Sequence, residues 1–328
     1  MRHGGNVWQG EGPSQWLDFS ANLRPEGPPD WVLEAMAYGL KNVRYYPDRA
    51  MAKARAGLAA YAGTASRCIL PTAGGAAAID LVLQRSKGSV YIAPPTFGEY
   101  EQRAMVHGRQ CRPWQGSCGK GDTVFLANPN NPTGLAMARS QVLEIYEKVA
   151  AQGGEVIVDE AFIDYCPEHS VRRDVKPGLA VVGSLTKILS IPGIRLGYVC
   201  AHPEAIEELA RRALPWSISA LAAEIAGRLG DHLPEISQDA AVNRRRRERF
   251  REKLQGLGIR VTPSQGSFLL VELPIDAEGI AAELKKRGIL VRTCASFGLP
   301  RGYLRLAVKT DEENERLIRE LGEILYAR

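Results

Sequence analysis

The stretch GEVIVDEAFIDY, residues 154–165, decides the fold class of this 328-residue chain. Its first half holds a continuous apolar run, 156–158, made of β-branched residues, and the run ends in the acids Asp159 and Glu160. A short run without polar alternation is typical of a strand that is buried on both faces of a parallel sheet. We therefore expect a sheet covered by helices, with polar groups at the carboxyl end of this strand.

Comparable runs lie on both sides of this stretch, between residue 69 and about residue 201. They alternate with helical patterns, a rhythm that indicates an α/β fold with a mostly parallel central sheet. In such sheets ligands bind outside the carboxyl ends of the strands, so the polar residues that follow these runs should share one rim. The runs are VYIAP (90–94), TVFLANP (123–129), LAVVGSLT (179–186) and LGYVCA (196–201).

The C-terminal part of the chain has a different pattern, which predicts a smaller α+β domain. Strand-like runs there surround a helical pattern at 277–288, and a long helix introduces them. The runs are IRVTPSQGSFLLVELP (259–274), ILVRTC (289–294) and YLRLAVK (303–309). We expect an N-terminal segment over 1–40 beside the small domain and the active site, a large domain over 41–214, and the linking helix with the small domain over 215–328.

The composition predicts an ordinary globular protein, because 45% of the residues are hydrophobic and 24% are charged. The net charge of +5, from 42 basic and 37 acidic side chains, is too small over this length to require a polyanionic partner. The basic run NRRRRERFREK (243–253) contains glutamates and is typical of the solvated face of a helix. We therefore expect no nucleic-acid partner.

The cysteines and the apolar segments bear on the location of the protein. Six cysteines are scattered without a CxxC pair, which favours reduced thiols. No stretch approaches the roughly 18 uninterrupted apolar residues of a membrane span, and the first residues lack the apolar region of a signal peptide. We expect a cytoplasmic protein with no membrane partner and no metal site.

The stretch GSLTKILSIPGIRLGY (183–198) places Lys187 just after a predicted buried strand. Desolvation and neighbouring cations lower the pKa of such an amine, and a neutral amine can attack an aldehyde. Ser184 and Arg195 supply hydroxyl and guanidinium donors that can hold a phosphate. Pyridoxal 5′-phosphate is a phosphorylated aldehyde that uses a lysine, and its pyridine nitrogen needs a carboxylate such as Asp159. A solvated lysine and a helix-capping aspartate remain the ordinary alternatives.

Four motifs follow one another along the chain: NPNNPTG (128–134), DEAF (159–162), SLTK (184–187) and GIRLGY (193–198). In this order they resemble the fold-type I pyridoxal-phosphate enzymes of the class I/II aminotransferase group. The resemblance implies that Lys187 and Asp159 are catalytic, Lys187 bonding the cofactor aldehyde and Asp159 pairing with the pyridine nitrogen. It also implies that Asn131 hydrogen-bonds the ring 3′-oxygen, although a turn-forming asparagine without a ligand is the alternative.

The same resemblance implies further cofactor contacts. Phe97 matches an aromatic residue that stacks on the pyridine ring, and packing in the core is its alternative. Tyr46 matches a tyrosine that reaches the cofactor phosphate from the neighbouring subunit, which implies a homodimer with active sites near the subunit interface. The segment LPTAGGAAAID (70–80) departs from the polar turn of close relatives, but the amides of Gly75 and Ala76 at a helix start still suit a phosphate.

Two arginines in the expected small domain favour a substrate with two anionic groups. The resemblance implies that Arg305 binds the α-carboxylate of the substrate. Arg292 lies where it can meet a carboxylate or a phosphate. Two surface cations on strands are the alternative.

Further segments are similar to one subgroup of this family, the decarboxylases of cobalamin biosynthesis. They include HGGN (3–6), LDFSANLRP (17–25), RYYPD (44–48), PWSISALA (215–222) and VRTCAS (291–296). The resemblance implies decarboxylation of L-threonine O-3-phosphate to (R)-1-amino-2-propanol O-2-phosphate and CO₂. It also implies an N-terminal segment that folds over the active site. The residues expected to bind the substrate phosphate there are His3, Gly4, Gly5, Asn6 and Asn22.

Three other functions remain open. A histidinol-phosphate-type aminotransferase shares the cofactor motifs and a phosphorylated substrate, but it removes the Cα proton first. A decarboxylase that prefers L-serine O-phosphate differs by one substrate methyl, which supplies only about 1–3 kcal/mol of discrimination. A non-catalytic protein that binds a phosphate ligand or a nucleic acid would stay colourless with pyridoxal phosphate, whereas the enzyme would be yellow.

Overall fold

The computed structural model describes residues 4–326 of the chain. Within that range, the central strands alternate with helices in the way that the sequence predicts. The helices are α1 (Asp30–Leu40), α2 (Ala52–Ala62), α3 (Gly75–Arg85), α4 (Glu99–Val106), α5 (Arg139–Ala150), α6 (Pro203–Arg212), α7 (Ala220–Arg228), α8 (Leu233–Gly256), α9 (Ala277–Lys286) and α10 (Asp311–Tyr326). The strands are β1 (Leu17–Asp18), β2 (Ile69–Thr72), β3 (Val90–Ile92), β4 (Cys111–Pro113), β5 (Thr123–Ala127), β6 (Glu155–Asp159), β7 (Leu179–Ser184), β8 (Gly197–Ala201), β9 (Arg260–Thr262), β10 (Phe268–Glu272), β11 (Ile289–Leu290), β12 (Arg292–Thr293) and β13 (Tyr303–Ala307).

The central sheet has seven strands in the order β2-β8-β7-β6-β5-β3-β4. Strands β7, β6, β5, β3 and β4 run parallel, which confirms the predicted α/β class with a mostly parallel sheet. Strand β8 is the exception, because it pairs antiparallel with both β7 and β2. The connection from β7 to β8, residues 185–196, is described in full and contains no α-helix. A return without a crossover helix leads to an antiparallel neighbour.

Alternating side chains of the central strands pack into two cores, one on each face of the sheet. Val124 and Val156 belong to the first core, whereas the residues that follow them, Phe125 and Ile157, belong to the second. All four side chains are at most 2% exposed. This burial on both faces accounts for the continuous apolar runs in the sequence.

A second sheet, which we call the small sheet, has the strand order β12-β13-β10-β9 and is antiparallel. It packs on a third core that includes Phe250 of α8, Ile280 of α9 and Leu317 of α10. The predicted strand at 289–294 is divided, because β11 pairs with β1 and β12 pairs with β13. The residue pattern did not reveal this division, since both halves are strand-like. Residues 17–18 therefore lie beside the C-terminal part of the chain.

The cores bear on the predicted domain limits at residues 40 and 214. Trp31 of α1 belongs to the first core, whereas Phe19 belongs to the third. Helix α8 passes from the first core at Ile236 to the third core at Phe250. The N-terminal segment and the linking helix thus contribute side chains to both the first and the third core. The division into domains at residues 40 and 214 stays a prediction.

The basic run on α8 is engaged within the chain. Arg246 forms an ion pair with Glu26, and Arg249 pairs with Asp311 at 2.6 Å. Arg247 is buried at 3% exposure. These charges are therefore directed to partners in the protein rather than grouped on an open surface.

The cysteines and the helices provide two further facts. All six cysteines are free thiols, and four of them are buried. Among residues 4–326, no helix combines the length and the apolar composition that a membrane span requires.

Candidate active site

A cavity of about 440 Å³ lies where the carboxyl ends of β5, β6 and β7 meet the small sheet. Parallel strands bring their carboxyl ends to one edge, so side chains that are distant in the sequence converge there. Twelve of the residues predicted for the site line this cavity. They are Gly4, Asn22, Gly75, Ala76, Phe97, Asn131, Asp159, Ser184, Lys187, Arg195, Arg292 and Arg305.

The other residues predicted for the site have different positions. Gly5 and Asn6 are not among the described residues that line the cavity. The amide of Gly5 donates to Oγ of Ser20 at 2.8 Å, and the expected contact of this amide with an anion stays a prediction. Tyr46 is 80% exposed and lines a separate groove. His3 lies outside the described residues.

Lys187 follows β7 and is partly buried at the cavity. Burial, with the nearby guanidiniums of Arg305 and Arg195, lowers the pKa of Lys187 from 10.5 to about 8, while Asp159 opposes this shift. A large fraction of the amine is therefore neutral near pH 8. A neutral amine is the nucleophile that bonds an aldehyde.

Asp159 ends β6 and is 8% exposed. Its carboxylate accepts hydrogen bonds from the hydroxyl of Tyr100 at 2.8 Å and from the amide of Ala161 at 2.9 Å. Burial raises the pKa of Asp159, and the two hydrogen bonds and Lys187 oppose the rise. A protonated ring nitrogen in the cavity would supply a positive charge that stabilises this buried carboxylate.

Tyr100 also lines the cavity and was not among the residues expected from the sequence. Its ring meets that of Phe97 edge to face at 5.6 Å and stacks on Phe125 of β5 at 4.2 Å. The available signal was the spacing of Phe97 and Tyr100, because residues three apart at a helix start share one face. Phe97 both packs against the second core and lines the cavity, so its two predicted roles are compatible.

The start of α3 forms a cradle with Ser184 and Arg195. Gly74 has a left-handed φ of 85° just before the helix, and a Cβ there would stand 2.8 Å from Nη2 of Arg195. A Cβ on Gly75 would stand 3.1 Å from Cβ of Ser184. The first amides of a helix have no acceptor within that helix, and its N-terminal end is positive. The cradle therefore offers backbone amides, a hydroxyl and a guanidinium, which are the donors that bind phosphate.

Arg305 of β13 is held by two acceptors. Nη1 donates to Oδ1 of Asn131 at 2.6 Å, and Nη2 donates to the carbonyl oxygen of Ser20 at 2.6 Å. Burial lowers the pKa of Arg305 to about 10. Its Nε is buried and has no hydrogen-bond partner within residues 4–326. A buried cation with an unsatisfied donor suits an anionic ligand.

Arg292 stands opposite Arg305 on the neighbouring strand β12. Its Nη2 donates to Oγ of Ser296 at 2.6 Å, and burial lowers the pKa of its guanidinium. The ring of Phe297 lies 5.2 Å from the guanidinium of Arg292 and 6.0 Å from that of Arg305. Ser296 and Phe297 were not expected from the sequence, because a 3-10 turn returns them to the cavity and no periodic pattern marks such a turn.

The cavity fits pyridoxal phosphate in three respects. The cradle at α3 suits a phosphate, the amine of Lys187 suits an aldehyde, and the buried carboxylate of Asp159 suits a protonated ring nitrogen. The volume also falls within the range of about 300–1,000 Å³ that is usual for small-ligand sites. The residues that line the cavity therefore match the phosphate, the aldehyde and the ring nitrogen of this cofactor.

Comparison with known proteins defines the class. Residues 14–321 match the aminotransferase class I and II family, and the chain belongs to this family. It is accordingly an enzyme that uses pyridoxal phosphate. The particular relatives include the threonine-phosphate decarboxylase of Salmonella typhimurium, which is 32% identical over 98% of this chain and 96% of its own length.

Two crystal structures are similar over nearly the whole chain. The histidinol-phosphate aminotransferase from Clostridium acetobutylicum has a TM-score of 0.88 at 27% identity and covers 95% of this chain and 100% of its own. The L-threonine-O-3-phosphate decarboxylase from Porphyromonas gingivalis has a TM-score of 0.84 at 26% identity and covers 94% and 99%. These similarities confirm the fold-type I class. The two proteins differ in their reactions, one being an aminotransferase and the other a decarboxylase, and both reactions remained open from the sequence.

Proposed function

We propose that this enzyme decarboxylates L-threonine O-3-phosphate to (R)-1-amino-2-propanol O-2-phosphate and CO₂ in cobalamin biosynthesis. The pair of guanidiniums on β12 and β13 carries the proposal, because Arg292 and Arg305 line one cavity with Lys187. A phosphorylated amino acid has two anionic groups, and each can take one guanidinium. The similarity to the Salmonella decarboxylase over nearly the full length of both chains supports the same reaction.

The cofactor is held mainly by the residues at the rim of the central sheet. Lys187 would hold the cofactor aldehyde through Nζ, and the carboxylate of Asp159 would hold the protonated ring nitrogen. Bound pyridoxal phosphate draws electrons away from the substrate Cα, which weakens the bonds to that carbon. The remaining cofactor contacts that we propose within this chain are Gly75, Ala76, Phe97, Asn131, Ser184 and Arg195.

Arg305 binds the α-carboxylate of the substrate. Because Asn131 and Ser20 fix both Nη atoms, the guanidinium has one orientation and can align the bond between Cα and the carboxylate. With Oδ1 of Asn131 turned to Arg305, its Nδ2 is the donor left for the cofactor oxygen. The substrate phosphate lies at Arg292. The other phosphate contacts that we propose are His3, Gly4, Asn6 and Asn22. Gly5 contributes by holding the N-terminal segment in position through its hydrogen bond to Ser20.

Once the substrate amine has replaced Nζ of Lys187 at the cofactor aldehyde, the freed amine would return a proton to Cα after CO₂ leaves. A pKa of about 8 allows Nζ both to hold a proton and to release it near neutral pH. The proton must reach Cα rather than a carbon of the cofactor, since only the first outcome gives an amine product. The position of Lys187 on the wall of the cavity that also contains Arg195 and Arg305, which lower its pKa, supports this role.

We further propose a cytoplasmic homodimer. Val43, Tyr45 and Tyr46 are 59%, 63% and 80% exposed, and they line a groove with Trp216. Apolar surface of this kind is commonly covered by a partner. A second copy placed there would bring Tyr46 to the cofactor phosphate of its neighbour. The free cysteines favour a reducing compartment.

A histidinol-phosphate-type aminotransferase is the second candidate, because the Clostridium structure has the higher TM-score of the two. It would hold the cofactor with the same residues, Lys187, Asp159 and Arg195. The two reactions differ in which bond to Cα breaks. A decarboxylase that prefers L-serine O-phosphate is the third candidate.

The products formed from L-threonine O-3-phosphate test these candidates. With pyridoxal phosphate and no amino acceptor, we expect CO₂ and (R)-1-amino-2-propanol O-2-phosphate in equal amounts. A keto acid that forms only when an acceptor is supplied would favour the aminotransferase. L-serine O-phosphate, assayed in parallel, should have a kcat/KM lower by about tenfold or more, because it lacks one methyl. A higher kcat/KM for L-serine O-phosphate would favour the third candidate.

A further inference from the structure

Ser20 lies where the N-terminal segment meets Arg305. Its carbonyl oxygen accepts a hydrogen bond from Nη2 of Arg305 at 2.6 Å, and its hydroxyl oxygen accepts one from the amide of Gly5 at 2.8 Å. Ser20 is 5% exposed and lines the cavity. Ser20 therefore contacts both the buried guanidinium of Arg305 and the N-terminal segment that contains Gly5.

Asp18 sets the direction of the Ser20 hydroxyl. Oδ1 of Asp18 accepts from the amide of Ser20 at 2.7 Å and from its hydroxyl at 2.6 Å. A hydroxyl has one hydrogen, so donation to Asp18 leaves its lone pairs to accept from Gly5. Donation to a carboxylate is also stronger than donation to a neutral group. The Ser20 hydroxyl is therefore a fixed acceptor for the Gly5 amide.

Gly4 rests on the same residue. A Cβ on Gly4 would overlap the carbonyl oxygen of Ser20, so only glycine permits this approach. Gly5 follows with a left-handed φ of 81°, which also favours glycine. Since Gly4 lines the cavity, its position there depends on contact with Ser20.

The chain before Ser20 is anchored independently of the N-terminal segment. The amide of Phe19 donates to the carbonyl of Leu290 at 2.8 Å, and its carbonyl accepts from the amide of Ala307 at 2.9 Å. The ring of Phe19 is fully buried in the third core. Ser20 thus follows a residue that is anchored by its backbone and its buried ring, and the Ser20 hydroxyl is the side-chain contact that continues to Gly5.

We propose that Ser20 is a positioning residue for the phosphate end of the substrate. Its hydroxyl, oriented by Asp18, holds Gly5 and thereby keeps the preceding Gly4 at the cavity that contains the two arginines. The identity of the substrate in this inference rests on the proposed function. Ser20→Ala removes the acceptor of the Gly5 amide, whereas the backbone carbonyl that binds Arg305 remains. This variant therefore separates the two contacts of Ser20.

Hydrogen exchange and steady-state kinetics on the full-length holoenzyme test the proposal. In Ser20→Ala we expect faster amide exchange in residues 4–8. We also expect KM for L-threonine O-3-phosphate to rise about five- to tenfold, the effect of one hydrogen bond, with kcat changed by less than about twofold. Asp18→Asn keeps an oxygen acceptor and should produce a smaller rise. Ser140→Ala, at an exposed position on α5, is the matched control and should leave exchange and KM at wild-type values.

Two outcomes would overturn the proposal. One is unchanged exchange in residues 4–8 of Ser20→Ala, and the other is a fall in kcat with KM unaltered. A wild-type enzyme that does not turn over L-threonine O-3-phosphate would refute the proposed function instead. The exchange measurement needs no substrate, so it still decides whether Ser20 holds the segment, and the two failures are distinguished.

Discussion

The two ends of the cavity are assembled in different ways. The end with Asp159 and Lys187, which we call the cofactor end, is built by neighbouring strands of one sheet. The end with Ser20, Asn131 and Arg305, which we call the substrate end, joins three distant parts of the chain by hydrogen bonds. The geometry of the cofactor end depends on the order of the strands in the sheet, whereas the geometry of the substrate end depends on a network of hydrogen bonds. Substitutions at the first should therefore change cofactor binding, and those at the second should change substrate affinity.

Lys187→Ala should have the largest effect, because it removes both the bond to the cofactor aldehyde and the proton donor for Cα. We expect decarboxylation to fall at least about a thousandfold. After added pyridoxal phosphate and borohydride reduction, the purified variant should also carry no cofactor covalently attached at position 187, as measured by peptide mass. Lys120→Ala, at an exposed position, is the control and should keep the yellow absorbance and the activity. If borohydride reduction attached no cofactor to Lys187 of the wild-type protein, the role proposed for this amine would be refuted.

Arg305→Lys should have the second largest effect, and it should act mainly at the substrate end. Lysine keeps the charge but loses the planar fork that reaches Asn131 and Ser20 together. We expect kcat/KM for L-threonine O-3-phosphate to fall about a hundredfold, while the absorbance of the bound cofactor is retained. Arg301→Lys, at an exposed position before β13, should behave as wild type. Loss of cofactor from Arg305→Lys would show that the two ends are not independent.

The cofactor end could be anticipated from the sequence because each of its residues follows a contiguous apolar run. Asp159 ends the run at 156–158, and Lys187 follows β7. Adjacent parallel strands then place such residues at one rim. The local pattern did not indicate that β8 turns back antiparallel, since the direction of a strand depends on its connection.

The substrate end could be anticipated only in part. Arg292 and Arg305 were expected to face the cavity, but Ser296 was missed because a turn brings it back. The amide of Gly5 was expected to meet an anion, yet it bonds to Ser20. Hydrogen bonds between distant segments leave no periodic trace in a sequence, so their pairing had to come from the structure.

The pKa of Lys187 predicts the pH dependence of cofactor capture by the apoenzyme. Burial and two arginines favour the neutral amine, so its pKa falls from 10.5 to about 8. The reactive fraction therefore increases with pH, by about tenfold per pH unit below the pKa, and levels off above it. The rate of the absorbance change after pyridoxal phosphate is added should follow this curve. Arg305→Lys retains a positive charge and should keep a similar midpoint, whereas a wild-type midpoint near 10.5 would contradict the prediction.

Tyr100→Phe should have the smallest effect. It tests whether a substitution at the cofactor end changes cofactor binding and leaves substrate affinity unchanged. The hydrogen bond from Tyr100 lowers the pKa of Asp159, so its loss should raise that pKa further and weaken pairing with a protonated ring nitrogen. The phenylalanine ring can still stack on Phe125. We expect the Kd for pyridoxal phosphate, measured by absorbance titration, to rise about fivefold.

KM for L-threonine O-3-phosphate should stay near the wild-type value in Tyr100→Phe, because Arg292 and Arg305 are untouched. Tyr326→Phe is the matched control, since it also loses one tyrosine hydrogen bond, at 2.9 Å to the carbonyl of Leu257, and Tyr326 does not line the cavity. If Tyr100→Phe raised KM and left the cofactor Kd unchanged, the hydroxyl would act on the substrate network. Asp159, which accepts the hydrogen bond of Tyr100, would then contribute to both cofactor binding and substrate binding. The division between the cofactor end and the substrate end would not hold at β6.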